Sequence, residues 1–139
     1  MNSIVMTSLE KTAMEWLLAG DDPVLHILRA QYACARPVRR ELSGVGFYLY
    51  FSTPVSQGIL HQKVCAKPSF CFGDVQASSD AMNGRIGFLL WVTHGLIDML
   101  EGYTDLGDFP EDTGSFSLQY LYEGPRELDA IRKIWAPGT

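Results

Sequence analysis

An α+β domain is the fold class that the sequence predicts, with two N-terminal helices, a mainly antiparallel sheet of about five strands and one C-terminal helix. Three observations predict it. Apolar residues recur at helical spacing near both ends, they alternate with polar residues through the middle, and the strand-like segments follow one another without helices between them. With 139 residues, 47% of them hydrophobic, and no interdomain linker, residues 1–139 are expected to form a single domain.

The two N-terminal helices carry start and stop signals. Thr7 and Glu10 have the spacing of a capping box, and Gly20 is the expected stop. Asp22 and Pro23 open the second helix, because Asp caps free amides and Pro is tolerated at the first helical position. The apolar stripes are Leu9, Ala13, Trp16 and Leu17 in the first helix, and Leu25, Leu28, Tyr32 and Ala35 in the second. The pattern predicts a helical hairpin.

Five strands are predicted between the helices. The first is long, starts near residue 38, and has Tyr48 and Tyr50 on the face opposite its apolar residues. The others are residues 70–77, with Asp74 on the face of Phe70 and Phe72, then 85–92, 96–103 and 116–122. The third is apolar enough to be covered on both faces. A final helix carries the apolar stripe Leu128, Ile131 and Trp135.

A tight turn at residues 94–95 connects the third and fourth strands. His followed by Gly is a two-residue hairpin signal. Regular pairing from that turn places Trp91 opposite Asp98, and Phe88 opposite Glu101.

Acidic residues are concentrated in one part of the chain. Between Arg85 and Arg126 the sequence contains seven acidic residues and no Lys or Arg, although the net charge of the whole chain is only −5. The seven are Asp98, Glu101, Asp105, Asp108, Glu111, Asp112 and Glu123. Binding of nucleic acid depends on Lys and Arg, so we expect no nucleic acid as a partner. Because an acidic surface attracts positive charge, we expect a basic protein partner.

The sequence lacks the common signatures of catalysis and cofactor binding. It contains no phosphate loop, nucleophile elbow, HExxH zinc helix or GxGxxG motif. His61, Cys65 and Cys71 lie in one segment, but the two cysteines are too far apart for the paired ligands of a structural zinc site. We predict no catalytic residue, no cofactor and no metal.

Cysteine usage and hydropathy predict a cytoplasmic protein. Cys34, Cys65 and Cys71 make an odd number, which does not suit a disulfide framework. Residues 1–6 lack the basic residues of a signal peptide, and no uncharged apolar stretch reaches the roughly 18 residues that span a bilayer. We expect no membrane association.

Two carboxylates interrupt apolar strands, where they need a partner or a function. These are Asp74 and Glu101. Arg85 or Arg40 could hold either one in a structural ion pair. Alternatively, both carboxylates could line a cavity between sheet and helices together with Trp91, which would indicate a small-ligand-binding protein or an enzyme.

Apolar residues alternate with the acids of the loop at residues 105–112. Leu106 and Phe109 could anchor a partner that the surrounding carboxylates attract. The alternative is an ordinary solvated loop whose Phe109 packs into the core.

Several short segments resemble a group of small uncharacterised bacterial proteins that are similar to immunity proteins of polymorphic toxin systems. These are GDVQA at residues 73–77, GFLL at 87–90, and LEGYT at 100–104 followed by Pro110-Glu111, within a likeness that covers residues 7–135. The resemblance implies an acidic, cytoplasmic, non-enzymatic protein that binds one toxin domain. It supplies no catalytic motif.

The favoured function is therefore non-enzymatic binding and occlusion of a basic partner by an acidic surface. The predicted contact residues are Asp98, Glu101, Tyr103, Asp105, Leu106, Asp108, Phe109, Glu111 and Asp112. The alternatives are the pocket of Asp74, Trp91 and Glu101, and a homodimer formed on the strand of Tyr48 and Tyr50. The sequence leaves the choice between monomer and homodimer open.

Overall fold

A computed structural model describes residues 4–54, 69–79, 84–105, 107–109, 115–121 and 125–135. Three helices lie in these residues: α1 (Ser8–Leu18), α2 (Pro23–Cys34) and α3 (Leu128–Trp135). The strands described are β1 (Arg36–Leu42), β2 (Gly46–Ser52), β3 (Phe70–Phe72), β4 (Val75–Ser79), β5 (Arg85–Thr93), β6 (Leu96–Thr104) and β7 (Phe116–Tyr120).

The strands form one antiparallel sheet in the order β1-β2-β6-β5-β4-β7, and β3 also pairs with β5. This confirms the predicted α+β class and the antiparallel sheet. Within the described residues the sheet has seven strands rather than about five, because two of the predicted strands are each divided in two.

The first division separates β1 from β2 at residues 43–45. Gly44 has a φ of +88°, a conformation that glycine adopts without strain. The Ser43 amide donates to the carbonyl of Gly46 at 3.0 Å, which closes the turn. The prediction of one long strand is therefore wrong: the alternation of apolar residues begins only at Val45, and a turn centred on Gly44 precedes it.

The second division separates β3 from β4 at Gly73 and Asp74. A Cβ atom on Gly73 would lie 1.8 Å from the carbonyl oxygen of Phe88, so only glycine allows this approach to β5. The irregularity changes the alternation, and Phe72 and Val75 both face the core. The predicted regular alternation through residues 70–77 is therefore interrupted at Gly73 and Asp74.

The first two helices begin where the sequence predicts. Thr7 and Glu10 form the capping box of α1, with bonds of 2.9 and 3.1 Å, and Asp22 caps α2 ahead of Pro23. The apolar stripes of all three helices pack on one face of the sheet, where they form the core with the inward side chains of the strands. Trp135 of α3 contacts two β3 side chains, with ring centroids 5.6 and 5.2 Å from those of Phe70 and Phe72.

The hairpin of β5 and β6 contains the predicted turn and an unpredicted β-bulge. His94 and Gly95 have φ values of 52° and 80°, which match a two-residue hairpin turn. Beyond the turn, Val92 pairs with Ile97 but Trp91 pairs with Met99, so Asp98 is an extra residue.

The bulge overturns the predicted pairing of Trp91 with Asp98 and of Phe88 with Glu101. Glu101 instead lies opposite Leu89, and Gly102 lies opposite Phe88. One extra residue exchanges the two faces of a strand. Without the bulge, Glu101 would point into the apolar core, where an unpaired carboxylate is costly.

The strand β5 is covered on one face rather than on both as predicted. Its buried residues alternate with Leu89, which is half-buried, and Trp91, which is 37% exposed. Among the described residues, no helix is long and apolar enough to cross a membrane.

Candidate functional site

The sheet surface opposite the helices, here called the open face, is rich in aromatic side chains. It is identified by the strand register, which places its residues directly across from one another. Its central residues are Arg39 and Glu41 on β1, Tyr48 and Tyr50 on β2, Met99, Glu101 and Tyr103 on β6, Leu89 and Trp91 on β5, and Cys71 on β3. Solvated faces of antiparallel sheets are usually polar, so this composition singles out the open face.

A tyrosine lies between two carboxylates at the centre of the open face. Tyr48 pairs with Glu41 of β1 on one side and with Glu101 of β6 on the other. Directly opposed residues on neighbouring strands have side chains close enough to interact. A ligand lying over the ring of Tyr48 would therefore meet negative charge on both sides.

Glu101 is oriented by a tryptophan. The Trp91 indole Nε1 donates to Glu101 Oε1 at 3.1 Å. In the part of the chain that the structure describes, no Lys or Arg lies within 4.0 Å of the Glu101 carboxylate. Burial, followed by the charge of Glu101, raises the pKa of the Cys71 thiol on the neighbouring strand. The Glu101 carboxylate thus accepts a hydrogen bond from Trp91 and raises the pKa of Cys71, but it has no ion-pair partner among the described residues.

The open face already holds one guanidinium against a tyrosine. The Cζ atom of Arg39 lies 4.2 Å from the ring centroid of Tyr50, and its Nη2 lies 3.4 Å from Glu41 Oε1. Both charged side chains are about half exposed, so this ion pair contributes little to stability. The stacking shows that the spacing of tyrosine and glutamate on this face accommodates an arginine side chain.

Tyr103 occupies the other end of the open face. A Cβ atom on Gly87 would lie 2.5 Å from the Cζ atom of Tyr103, so the glycine lets the tyrosine ring cover β5. The side chain nevertheless remains 40% exposed. Trp91 and Tyr103 are therefore large ring surfaces available to a partner.

The remaining predicted contact residues lie at the two ends of β6 or beyond it. Asp98 accepts from the Thr93 hydroxyl at 3.1 Å, Asp105 accepts from the Arg85 amide at 2.8 Å, and Asp108 is exposed. Leu106, Glu111 and Asp112 lie outside the described residues.

Phe109 is packed against the core rather than exposed as an anchor. Its ring centroid lies 5.5 Å from that of Phe47, and its amide donates to the carbonyl of Gly44 at 2.8 Å. This placement agrees with the alternative interpretation of the loop, so Phe109 is not needed in the contact surface.

Asp74 does not join Trp91 and Glu101. Its two carboxylate oxygens accept from Nε and Nη2 of Arg126 at 2.9 and 2.8 Å, in an ion pair that is largely buried. Arg126 also donates to the carbonyl of Ala19 at the end of α1. Asp74 is thus held in a structural ion pair, although its partner is neither Arg85 nor Arg40 as expected.

Arg40 instead pairs with Glu10, a buried residue that the sequence singled out only for the capping box of α1. The bonds from Arg40 Nε and Nη2 are 2.8 and 2.6 Å long, and the hydrogen bond to Glu10 is the first cause that raises the pKa of Arg40. The same carboxylate completes the cap of α1, so this pair joins α1 to β1.

The described grooves do not coincide with the predicted pocket. One, of about 470 Å³, is lined by α1 and α2 residues that include Glu15, Arg29 and Tyr32. Another, of about 160 Å³, lies between β4 and β7. Neither contains Asp74, Trp91 or Glu101. Of the residues considered for a metal, His61 and Cys65 lie outside the described part, and Cys71 is half-buried on the open face.

Sequence reasoning did not assign Arg39 and Glu41 to a site. They lie in a polar edge strand that lacks the apolar alternation used to recognise strands. The usable signal was the spacing of charged and aromatic residues around the Ser43-Gly44 turn. Pairing across that turn places Glu41 opposite Tyr48 and Arg39 opposite Tyr50.

Comparison with protein families, with curated proteins and with solved structures finds no match for this chain.

Proposed function

We propose that this protein is a non-enzymatic binding protein that occludes a basic protein partner with its open face. One observation carries the proposal: the exposed rings of Trp91 and Tyr103 flank the Glu101 carboxylate, which has no cationic partner among the described residues. Aromatic residues dominate the energy of binding surfaces, and opposite charge gives speed and specificity.

The acidic residues at the ends of β6 attract a basic partner over long range. Asp98, Asp105 and Asp108 are exposed, and they extend the negative charge beyond Glu101 in both directions along the strand. A basic partner is drawn toward this surface before contacts form, and salt weakens that attraction. The aromatic rings then supply the apolar contact.

A toxin domain with a basic active-site rim suits this role, and an immunity protein is the class of inhibitor we propose. The setting we propose is the cytoplasm, where the free thiols of Cys34 and Cys71 stay reduced. The resemblance of residues 73–77, 87–90 and 100–104 to small bacterial proteins that are similar to immunity proteins supports the same class.

Selection of peptides from a random displayed library tests the proposal without knowledge of the natural partner. The full-length protein is the bait. We expect the selected peptides to be enriched in Arg and Lys, and their affinity to fall about tenfold between 50 and 300 mM salt, because roughly two or three charges are paired at the surface.

Two variants complete the test. Trp91→Thr is expected to lower the affinity of the selected peptides by about tenfold, because a central aromatic contact is lost. Glu15→Gln, on α1, is the control and leaves binding unchanged. Peptides without excess basic residues, or binding insensitive to salt and to Trp91→Thr, would contradict the proposal. A dimer of the free protein that Trp91→Thr dissociates would also contradict it, since the open face would then bind a second copy.

A further inference from the structure

We propose that Tyr48, between Glu41 and Glu101, is the subsite for an arginine side chain of the partner. This inference rests on the proposed function and specifies the chemical group that the open face recognises. Neighbouring strands lie about 4.8 Å apart, so the strands of Glu41 and Glu101, on either side of β2, are separated by about twice that distance. That separation is roughly the width of one guanidinium together with a hydrogen bond on each side.

The charges around Tyr48 are unbalanced. Glu41 has a weak, exposed contact with Arg39, and Glu101 has no cation within 4.0 Å in the described residues. One added cation over Tyr48 would therefore be shared by two carboxylates that, among the residues the structure describes, have one arginine between them. The complementary charge on the partner is positive.

The neighbouring tyrosine provides an internal precedent. Arg39 lies over the ring of Tyr50 and approaches the carboxylate of Glu41 at the same time. Tyr48 is two residues away on the same face of β2, and it too has Glu41 beside it. Tyr48 thus shares the Glu41 carboxylate with Tyr50, and on β6 it lies opposite a second carboxylate, Glu101, where Tyr50 lies opposite Met99.

The geometry favours arginine over lysine. A guanidinium is planar, stacks on an aromatic ring and projects donors in several directions in its own plane, whereas an ammonium is a strongly hydrated point charge. Because Trp91 Nε1 already binds Glu101 Oε1, the orientation of that carboxylate is set before an arginine arrives. Its second oxygen accepts the charged hydrogen bond.

Titration with three small peptides tests the subsite. The probes are acetyl-Gly-Xaa-Gly-amide, where Xaa is arginine, lysine or citrulline, and the readout is the indole N–H resonance of Trp91 in the full-length protein. We expect the arginine peptide to give a saturable shift, with an affinity about threefold above that of the lysine peptide. The citrulline peptide, which has the shape without the charge, gives no saturable shift.

Variants assign the binding to the ring and the carboxylate. Glu101→Gln keeps the hydrogen bond to Trp91 and removes the charge, and we expect arginine affinity to fall about fivefold. Tyr48→Phe keeps the ring and the affinity, whereas Tyr48→Thr removes the ring and lowers the affinity by about threefold. Amide spectra of each variant verify that the sheet is intact.

The outcomes separate this inference from the proposed function. Equal affinities for the arginine and lysine peptides, or a saturable shift with the citrulline peptide, would overturn the arginine subsite. So would full affinity in Glu101→Gln. If the arginine subsite fails while library peptides remain basic and salt-sensitive, the proposed function stands. If the tripeptide binds as expected but the library yields no basic peptides, the proposed function fails and the subsite remains.

Discussion

Replacement of Arg126 by methionine is expected to lower the free energy of unfolding by about 3–5 kcal/mol, the usual effect of removing one partner of a buried ion pair. The Arg126 side chain is 6% exposed, and that of Asp74 is 16% exposed. Methionine fills much of the space but leaves the carboxylate without its two donors and the carbonyl of Ala19 without one. Urea unfolding followed by circular dichroism measures the change.

Arg85→Met is the matched control. Arg85 is an exposed strand residue whose amide, not its side chain, bonds to Asp105, so the change should be within about 0.5 kcal/mol. Equal stability of Arg126→Met and the original protein would show that Asp74 is available for another role. The cavity interpretation of Asp74 would then regain support.

Replacement of Gln31 by methionine should lower the free energy of unfolding by about 2–4 kcal/mol, because two buried backbone groups lose their partners. Gln31 is fully buried on α2. Its Nε2 donates to the carbonyl of Gly95 at 2.8 Å, and its Oε1 accepts from the Ile97 amide at 2.9 Å. Through these two hydrogen bonds, the Gln31 side chain connects the β5–β6 turn to α2.

Gln119→Met provides the comparison, since Gln119 is exposed on β7. We expect that variant to unfold within about 0.5 kcal/mol of the original protein. If Gln119→Met lost as much stability as Gln31→Met, the hydrogen bonds of Gln31 to the β5–β6 hairpin would not be the cause of the loss in Gln31→Met. Unfolding by urea again gives both values.

Local signals predicted the helices and the sheet class well. The capping box of Thr7 and Glu10, the Asp22-Pro23 start and the alternation in β7 depend on neighbours in sequence, and the structure reproduces them. The breaks at Gly44 and Gly73 could not be located in that way. At Gly73 the deciding fact is the approach of the Phe88 carbonyl, which belongs to another strand.

The candidate site was predictable only in part. The sequence drew attention to Glu101 and Trp91, but a single extra residue at Asp98 decides that Glu101 lies on the same face of the sheet as Trp91. A bulge leaves no clear pattern in a strand as apolar as β6. The partner of Asp74 was missed because Arg126 is 52 residues away in the sequence.

The most direct test of the central claim is to map where a selected basic peptide binds, from amide shifts of the full-length protein. We predict the largest shifts in residues 46–52, 85–93 and 96–105, together with the indole N–H of Trp91, and small shifts in α1 and α2. The largest shifts in the groove lined by Glu15, Arg29 and Tyr32, with the open face unaffected, would show that the open face is not the binding surface.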